Sequence, residues 1–181
     1  MKVLIASDIH GRLLAAQKLV AAIDGFGVDK IVLLGDFLYN GPRNGVPSDY
    51  DGMAVANLLN PLADRIIGIR GNCDAKIDQD ILSFPLEDRK SFVLNGFTCV
   101  LLHGDNIDPS FVKASKGNIV MSGHTHVPVL EEKSGIVYLN PGSTSFPKGG
   151  NPASFALFVD DKLSILELDT FKAMKTFTLA R

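Results

Sequence analysis

The sequence lacks several features that mark specialised classes of protein. It has no tryptophan, only two cysteines and a formal net charge of −2 in 181 residues. Cys73 and Cys99 cannot form a disulfide framework and neither has a CxxC partner, which favours a reduced, cytoplasmic protein. The near-neutral charge, without any long Lys/Arg run, argues against a broad nucleic-acid surface.

Long apolar runs are also missing. No run approaches the roughly 18 residues that a membrane helix needs, so we expect no membrane partner. Near the N-terminus, the apolar run 3–6 is too short for the core of a signal peptide. The composition is that of a globular protein, with 46% hydrophobic residues, and its length fits one domain over residues 1–181.

The first half of the chain alternates apolar runs with stretches of helical period. Residues 2–7, 30–35 and 65–70 are predicted strands, and residues 12–23 and 51–62 are predicted helices. Strand–helix–strand units with nearly continuous apolar strands favour a parallel sheet covered by helices.

The second half is richer in short strands. Asn95-Gly96, flanked by apolar residues, predicts a hairpin turn, and Asp160-Asp161 and Asp169-Thr170 predict further turns. The predicted strands are 92–95, 97–102, 119–122, 127–130, 136–139, 154–159, 163–168 and 172–179. Two packed sheets with helices outside would accommodate both halves.

Residues with metal-ligand chemistry follow five of the predicted strands, and these residues include all four histidines of the chain. The carboxyl ends of strands in open α/β sheets form the ligand crevice, so we expect the five tips to meet. In extended backbone, side chains at i and i+2 point the same way, so each paired motif would face one point. The candidate ligands are Asp8, His10, Asp36, Asn72, His103, His124 and His126.

Each motif taken alone has an ordinary explanation. A strand-end aspartate is often a helix N-cap, an Asn-Cys-Asp run is often a turn, and two nearby histidines can be a structural pair. Five motifs in the same strand-end context argue against coincidence. Mixed nitrogen and oxygen donors suit Mn²⁺, Zn²⁺, Fe, Co²⁺ or Ni²⁺ rather than a thiolate zinc site or a Ca²⁺ cage.

Seven donors are too many for one tetrahedral ion. They predict two divalent transition-metal ions that share one carboxylate, roughly 3.5–4 Å apart as in two-metal hydrolases. We expect manganese, while the residues themselves leave the choice of metal open.

The motifs, in this order, resemble those of the calcineurin-like metallophosphoesterase superfamily. They are Asp8-Ile9-His10, Gly35-Asp36, Gly71-Asn72-Cys73-Asp74, His103 and Gly123-His124-Thr125-His126, and they span nearly the whole chain. The loops 41–45, 70–74, 140–143 and 147–154 are similar to those of small bacterial YfcE-type phosphodiesterases.

This resemblance implies a four-layer αββα sandwich of two mixed sheets with a dinuclear site at one edge. It places Asp8, His10, Asp36 and His126 on one metal, and Asn72, His103 and His124 on the other, with Asp36 shared. It also implies hydrolysis of a small phosphodiester by a metal-bridging hydroxide, with Asp36, Asn72 and His103 counted as catalytic through that hydroxide.

Three further residues need separate interpretation. Cys73 stands where many superfamily members carry a histidine thought to assist the leaving group, so it is predicted to line the site, with a small buried hydrophobe as the alternative. Arg43 is predicted to contact the substrate phosphate, with a solvated loop residue as the alternative. Asp105 either orients a ligand histidine or, as we expect, belongs to a turn.

Two other functions compete with the phosphodiesterase. A non-catalytic scaffold has the same fold in the retromer subunit, and the departure at Cys73 favours it, whereas the seven retained ligands favour an enzyme. A nucleotide phosphatase would need residues that stack on a base, and the chain has no tryptophan and three tyrosines. The strand-rich second half could also form a homo-oligomer interface.

Overall fold

The computed structural model describes residues 1–107, 109–114 and 118–180. The strands are β1 (Val3–Ala6), β2 (Lys30–Leu33), β3 (Ile66–Ile69), β4 (Leu86–Glu87), β5 (Arg89–Leu94), β6 (Phe97–Leu102), β7 (Ile119–Met121), β8 (Val129–Lys133), β9 (Ile136–Asn140), β10 (Ser154–Val159), β11 (Lys162–Glu167) and β12 (Ala173–Thr178). The helices are α1 (Leu13–Phe26), α2 (Gly52–Leu59), α3 (Asp78–Ile81) and α4 (Pro109–Ala114), with a 3₁₀ helix at Asn60–Arg65.

The strands form two mixed sheets. The first has seven strands in the order β12-β11-β10-β1-β2-β3-β4, and the second has five in the order β5-β6-β7-β9-β8. In the first sheet β1 to β4 pair in parallel, while β10, β11 and β12 pair antiparallel to their neighbours. In the second, β6, β7 and β9 are parallel, and β5 and β8 are antiparallel edges.

The alternation of side chains along β1 shows how the layers are stacked. Leu4 and Ala6 pack toward α1 and α2, whereas Val3 and Ile5 point to the opposite side and pack against the second sheet. Beyond the second sheet, Val112 of α4 packs in a smaller cluster. The layers are therefore helix, sheet, sheet and helix, which confirms the predicted αββα sandwich.

Most predicted strands and the first helix are found within a few residues of their expected positions. The Asn95-Gly96 and Asp160-Asp161 turns are confirmed. Both residues of each turn have positive φ, as expected for a tight hairpin turn between two strands. The loop after β11 is longer than predicted, and its left-handed residue is Phe171.

One predicted helix was too long, and three short elements were not predicted. The helix predicted over 51–62 ends at Leu59, and the chain continues as a 3₁₀ helix, because Pro61 has no N–H to donate to a further turn. The short elements α3, β4 and α4 were not predicted, since elements of two to six residues leave too little periodicity to detect.

Candidate metal centre

The seven predicted ligand residues lie together at one edge of the two sheets. Asp8 and His10 follow β1, Asp36 follows β2, Asn72 follows β3, and His103 follows β6; the other two follow β7. The two sheets thus contribute from facing strand ends, as the arrangement of carboxyl ends predicts.

The backbone at these tips is not extended, so the reason given for the paired motifs was wrong. Five of the seven residues have left-handed φ: 57° at Asp8, 51° at His10, 58° at Asp36, 66° at His124 and 61° at His126. Residues with left-handed φ turn the chain sharply, so the alternation of side chains along an extended strand does not apply to these tips. This conformation is costly for non-glycine residues, and such strain is concentrated at functional sites.

The first group of converging atoms comes from Asp8, His10 and His126. Asp8 Oδ1 lies 3.2 Å from His126 Nε2 and 3.7 Å from His10 Nε2, and the two imidazole nitrogens are 3.3 Å apart. The other carboxylate oxygen of Asp8 accepts a hydrogen bond from the amide of His124. Asp8 is therefore oriented with one oxygen free to face the two rings.

Both of these rings are oriented by backbone carbonyls. Nδ1 of His10 is 2.9 Å from the carbonyl oxygen of Tyr39, and Nδ1 of His126 is 2.6 Å from that of Phe146. Since a carbonyl only accepts, each Nδ1 carries the proton and each Nε2 presents a lone pair. The ring of His103 is oriented in a similar way, because its Nδ1 is 2.6 Å from the carbonyl oxygen of Leu34.

Asp36 lies between the two groups of ligands. Its Oδ2 is 3.6 Å from His10 Nε2 and 3.5 Å from His103 Nε2, while its Oδ1 accepts a hydrogen bond from the amide of Cys73. One carboxylate oxygen thus faces histidines on both sides, which is the position that a shared ligand requires.

The second group gathers around the Asn72 side-chain oxygen. Asn72 Oδ1 is 3.0 Å from His103 Nε2 and 2.7 Å from His124 Nδ1. His103 is buried, whereas Asn72 is exposed and His124 is partly exposed. This side of the site is therefore more open to solvent.

The charges of Asp36 and His103 are coupled. Burial by itself lowers the pKa of His103, but hydrogen bonding and attraction to Asp36 outweigh it and raise the pKa to about 9. Burial would raise the pKa of Asp36, yet His103 and the Cys73 amide lower it to about 2. Asp36 is therefore a carboxylate at neutral pH.

A second aspartate, Asp74, is buried and orients the loops after β2 and β3 through hydrogen bonds to their backbone. Its carboxylate accepts hydrogen bonds from three amides: those of Asp36 and Gly71 to Oδ2, and that of Phe37 to Oδ1. Burial raises its pKa to about 6, although the three donors act in the opposite direction. Asp74 belongs to the Gly71-Asn72-Cys73-Asp74 motif, but the motif does not predict this role for it.

The loop after β9 also supports the site. The hydroxyls of Ser143 and Ser145 both donate to the carbonyl of Asp8, at 2.8 and 2.7 Å, and Asn140 Nδ2 donates to the carbonyl of Gly123. These contacts hold the backbone of the tips after β1 and β7 in place.

A cavity of about 410 Å³ opens over the ligands, and it has a cationic rim. Arg43, predicted from sequence, and Lys148, not predicted, both line it. Among the described residues neither has an ion-pair partner. The only earlier signal for Lys148 was its place in the 147–154 loop.

Cys73 lines the same cavity and is partly buried. Its Sγ lies 3.4 Å from Nδ2, the side-chain nitrogen of Asn72. Burial, together with repulsion from Asp36, raises the pKa of the thiol to about 12.

Asp105 is exposed at a bend, in accord with a turn residue. Cys99 is fully buried between the sheets.

Comparison with protein families gives a match over most of the chain. The model of the Calcineurin-like phosphoesterase superfamily domain matches residues 1–162. The Phosphodiesterase YfcE of Escherichia coli is 40% identical over 171 residues, which cover 93% of each chain. A phosphodiesterase of Methanocaldococcus jannaschii is 25% identical over 78% of this chain and 83% of its own.

Solved structures share the same fold. The structure of the Escherichia coli phosphoesterase Yfce superposes with a TM-score of 0.92 at 36% identity, over 99% of this chain and 100% of the other. A Vps29 structure from Entamoeba histolytica superposes with a TM-score of 0.70 at 21% identity, over 99% and 100%. At that identity the second likeness concerns the fold alone.

Proposed function

Since the chain belongs to the calcineurin-like phosphoesterase superfamily, we propose that the seven-residue centre makes it a metal-dependent phosphodiesterase. The single observation that carries this proposal is the approach of His10 Nε2 to His126 Nε2, at 3.3 Å. Both atoms present lone pairs, because both Nδ1 protons are donated to carbonyls. Two facing lone pairs repel each other at this distance, and a bound cation would offset that repulsion.

The donor set fits divalent metal ions on a second, independent ground. In the part of the chain that the structure describes, Asp8 Oδ1 is buried and has no hydrogen-bond partner. A buried carboxylate oxygen without a donor is unfavourable unless a cation compensates it. Three overlapping groups of candidate ligands surround this point, and two of them contain Asp8.

We assign two ions to this centre. Asp8, His10 and His126 would hold the first, and Asn72, His103 and His124 the second. Asp36, whose Oδ2 faces both His10 and His103, would be a ligand of both. Neutral imidazoles and carboxylates are ligands that Mn²⁺ accepts, and manganese is our proposed metal.

When bound, the ions supply a nucleophile by acidifying water and offset the charge that develops on the phosphate oxygens. The protein's own contribution is orientation. Carbonyls of Leu34, Tyr39 and Phe146 each accept from an imidazole Nδ1 and so orient the three rings. Asp74 keeps the amides near Asp36 in place.

Substrate binding is assigned to the two cations of the rim. Arg43 can donate paired hydrogen bonds to phosphate oxygens, and Lys148 adds a second positive charge on the same cavity. The amide of Lys148 donates to the carbonyl of His126, so the position of this residue depends on a ligand loop. Such a rim favours a negatively charged phosphate ester.

The scaffold alternative has less support. A scaffold has no need for a buried carboxylate oxygen without a donor, such as Asp8 Oδ1, which has an energetic cost. No helix in the described ranges is long and apolar enough to cross a membrane. Cytoplasmic location and self-association stay predictions.

The experiment is hydrolysis of bis(p-nitrophenyl) phosphate by protein stripped of metal and then reloaded with Mn²⁺. We expect activity only after reloading, with p-nitrophenyl phosphate cleaved more slowly. Asp36→Asn should lower the rate by at least about 100-fold, since a misplaced catalytic group commonly has that effect. Asp64→Asn, on the exposed 3₁₀ helix, is the matched control. Reloaded protein that is inactive toward both esters would contradict the proposal.

A further inference from the structure

Beside the metal cavity lies a second hollow with a different chemical character. It has a volume of about 580 Å³, within the range of small-molecule pockets, and side chains of Leu38, Tyr39, Tyr50, Met53 and Ile81 supply its apolar wall. Tyr39 and Met53 are large side chains that remain 45% and 55% exposed there. We call this hollow the apolar pocket.

The apolar pocket and the metal cavity share one wall residue, Cys73. The thiol lies close to Gly41, where a Cβ would be 3.4 Å from Sγ and 4.0 Å from His10 Cε1. The two spaces are therefore adjacent, and the wall that they share consists of the small side chain of Cys73, with a glycine beside it on the side of the metal cavity.

Tyr39 belongs to both the metal centre and the apolar pocket. Its carbonyl oxygen accepts from Nδ1 of His10, while its ring lines the apolar pocket. The pocket is thus held in a fixed position relative to the ligands, which is a condition for it to orient a substrate.

The charges around the apolar pocket distinguish it from the metal cavity. Among the residues that the structure describes, no lysine or arginine lines it, and its two carboxylates, Asp51 and Asp78, accept hydrogen bonds from the amides of Ala54 and Ala75. An anionic group would meet those carboxylates without a compensating cation, whereas an uncharged ring would cover exposed apolar surface. The cations lie on the other side of Cys73, over the ligands.

We infer that the apolar pocket binds an uncharged aromatic ester group of the substrate while the phosphate lies over the metal ligands. The inference rests on the proposed function and specifies its substrate class: diesters with at least one neutral, ring-containing arm. A diester whose arms are both short or charged is a poor substrate.

The test is calorimetric binding of phosphonates to the manganese-loaded protein, which does not depend on hydrolysis. The probes are methylphosphonate, phenylphosphonate and 4-carboxyphenylphosphonate. Partial burial of a phenyl ring corresponds to a gain in affinity of about tenfold. We therefore expect phenylphosphonate to bind about ten times more tightly than methylphosphonate, and the carboxylated ring to lose that gain.

Two variants locate the ring. Met53→Lys, on an exposed position of α2, should abolish the phenyl preference and improve binding of the carboxylated ring, because it places a cation in the pocket. Tyr39→Ala should reduce the preference without adding charge and leaves the carbonyl that holds His10 unchanged. Val93→Lys, 64% exposed on β5 of the other sheet, is the matched control.

Equal affinity for methyl- and phenylphosphonate would overturn the inference, as would a phenyl preference that Met53→Lys and Tyr39→Ala change no more than Val93→Lys does. In either case, retained hydrolysis of bis(p-nitrophenyl) phosphate by the loaded wild type would leave the proposed function intact. Binding of all three probes with the expected ranking, but without hydrolysis, would contradict the proposed function alone.

Discussion

Asp74 accepts a hydrogen bond from the backbone amide of Asp36 at 2.8 Å, across 38 positions of sequence. The same oxygen accepts from the amide of Gly71 at 2.7 Å, so one carboxylate ties the loop after β2 to the loop after β3. These two loops carry Asp36 and Asn72. The relative position of ligands from both groups therefore depends on a residue that is not itself a proposed ligand.

Asp74→Asn is predicted to weaken both the fold and the metal centre. The amide that replaces one carboxylate oxygen cannot accept from an N–H, so at least one buried donor loses its partner. We expect a loss of about 2 kcal/mol in the free energy of unfolding, and roughly tenfold weaker Mn²⁺ binding, as for other groups that orient metal ligands. Urea unfolding and metal titration measure the two effects.

The control for this change is Asp80→Asn, which alters the same type of side chain at an exposed position of α3. It should leave both quantities near wild type. Wild-type stability and metal affinity in Asp74→Asn would refute the role assigned to Asp74.

Gly71→Ala is predicted to disable the site through one methyl group. A Cβ at Gly71 would overlap Asp36 Oδ1 and the Asp36 amide, and the glycine has no positive φ, so the effect is purely steric. A displacement of about 1 Å at Asp36 should lower the rate by about 100-fold. Kinetics at saturating Mn²⁺ measure it.

Gly25→Ala provides the comparison, because a Cβ there has no neighbour within 4 Å and the residue lies in helix α1. Alanine is favoured over glycine inside a helix, so this variant should be slightly stabilised and fully active. Equal activity of the two variants would show that the close approach at Gly71 is unimportant.

Cys73 leads to a prediction about leaving groups. A thiol whose pKa is raised to about 12 is a poor acid near neutral pH, so departure of the ester oxygen should depend on its own acidity. In a series of p-substituted phenyl diesters, the logarithm of the rate should fall steeply with leaving-group pKa. Cys73→His, which supplies an acid with a pKa near 6.5, should make the slope shallower.

Cys73→Ser is the matched variant, since it removes the thiol without adding an imidazole, and its slope should equal that of the wild type. A shallow slope in the wild type would mean that another group provides the proton, and this account of Cys73 would then be wrong.

The positions of the ligands could be predicted from the sequence because each follows a recognisable apolar strand, and strand ends of an α/β sheet meet at one edge. The left-handed backbone at residues such as Asp8 and His126 could not, because the pattern of apolar residues carries no information on φ at a loop aspartate or histidine. The correct convergence was therefore predicted for an incorrect local reason.

Other features depend on contacts between distant loops, which no local pattern reveals. Lys148 reaches the metal cavity because the loop after β9 folds back over His126. The apolar pocket brings Tyr39, Met53 and Ile81 together from three separate segments. All seven candidate ligands lie at the site. Their role as ligands stays a prediction that rests on the types of donor atoms they bring together.

The central claim is that this centre binds two metal ions, and the number of ions per chain tests it most directly. Protein stripped of metal, reloaded with Mn²⁺ and freed of excess should contain close to two equivalents by elemental analysis. Asp36→Asn should reduce this number, because it removes the one carboxylate shared by both groups of ligands. Two equivalents in the wild type is the predicted result; saturation at one equivalent or none, with an unchanged circular dichroism spectrum, would contradict the account.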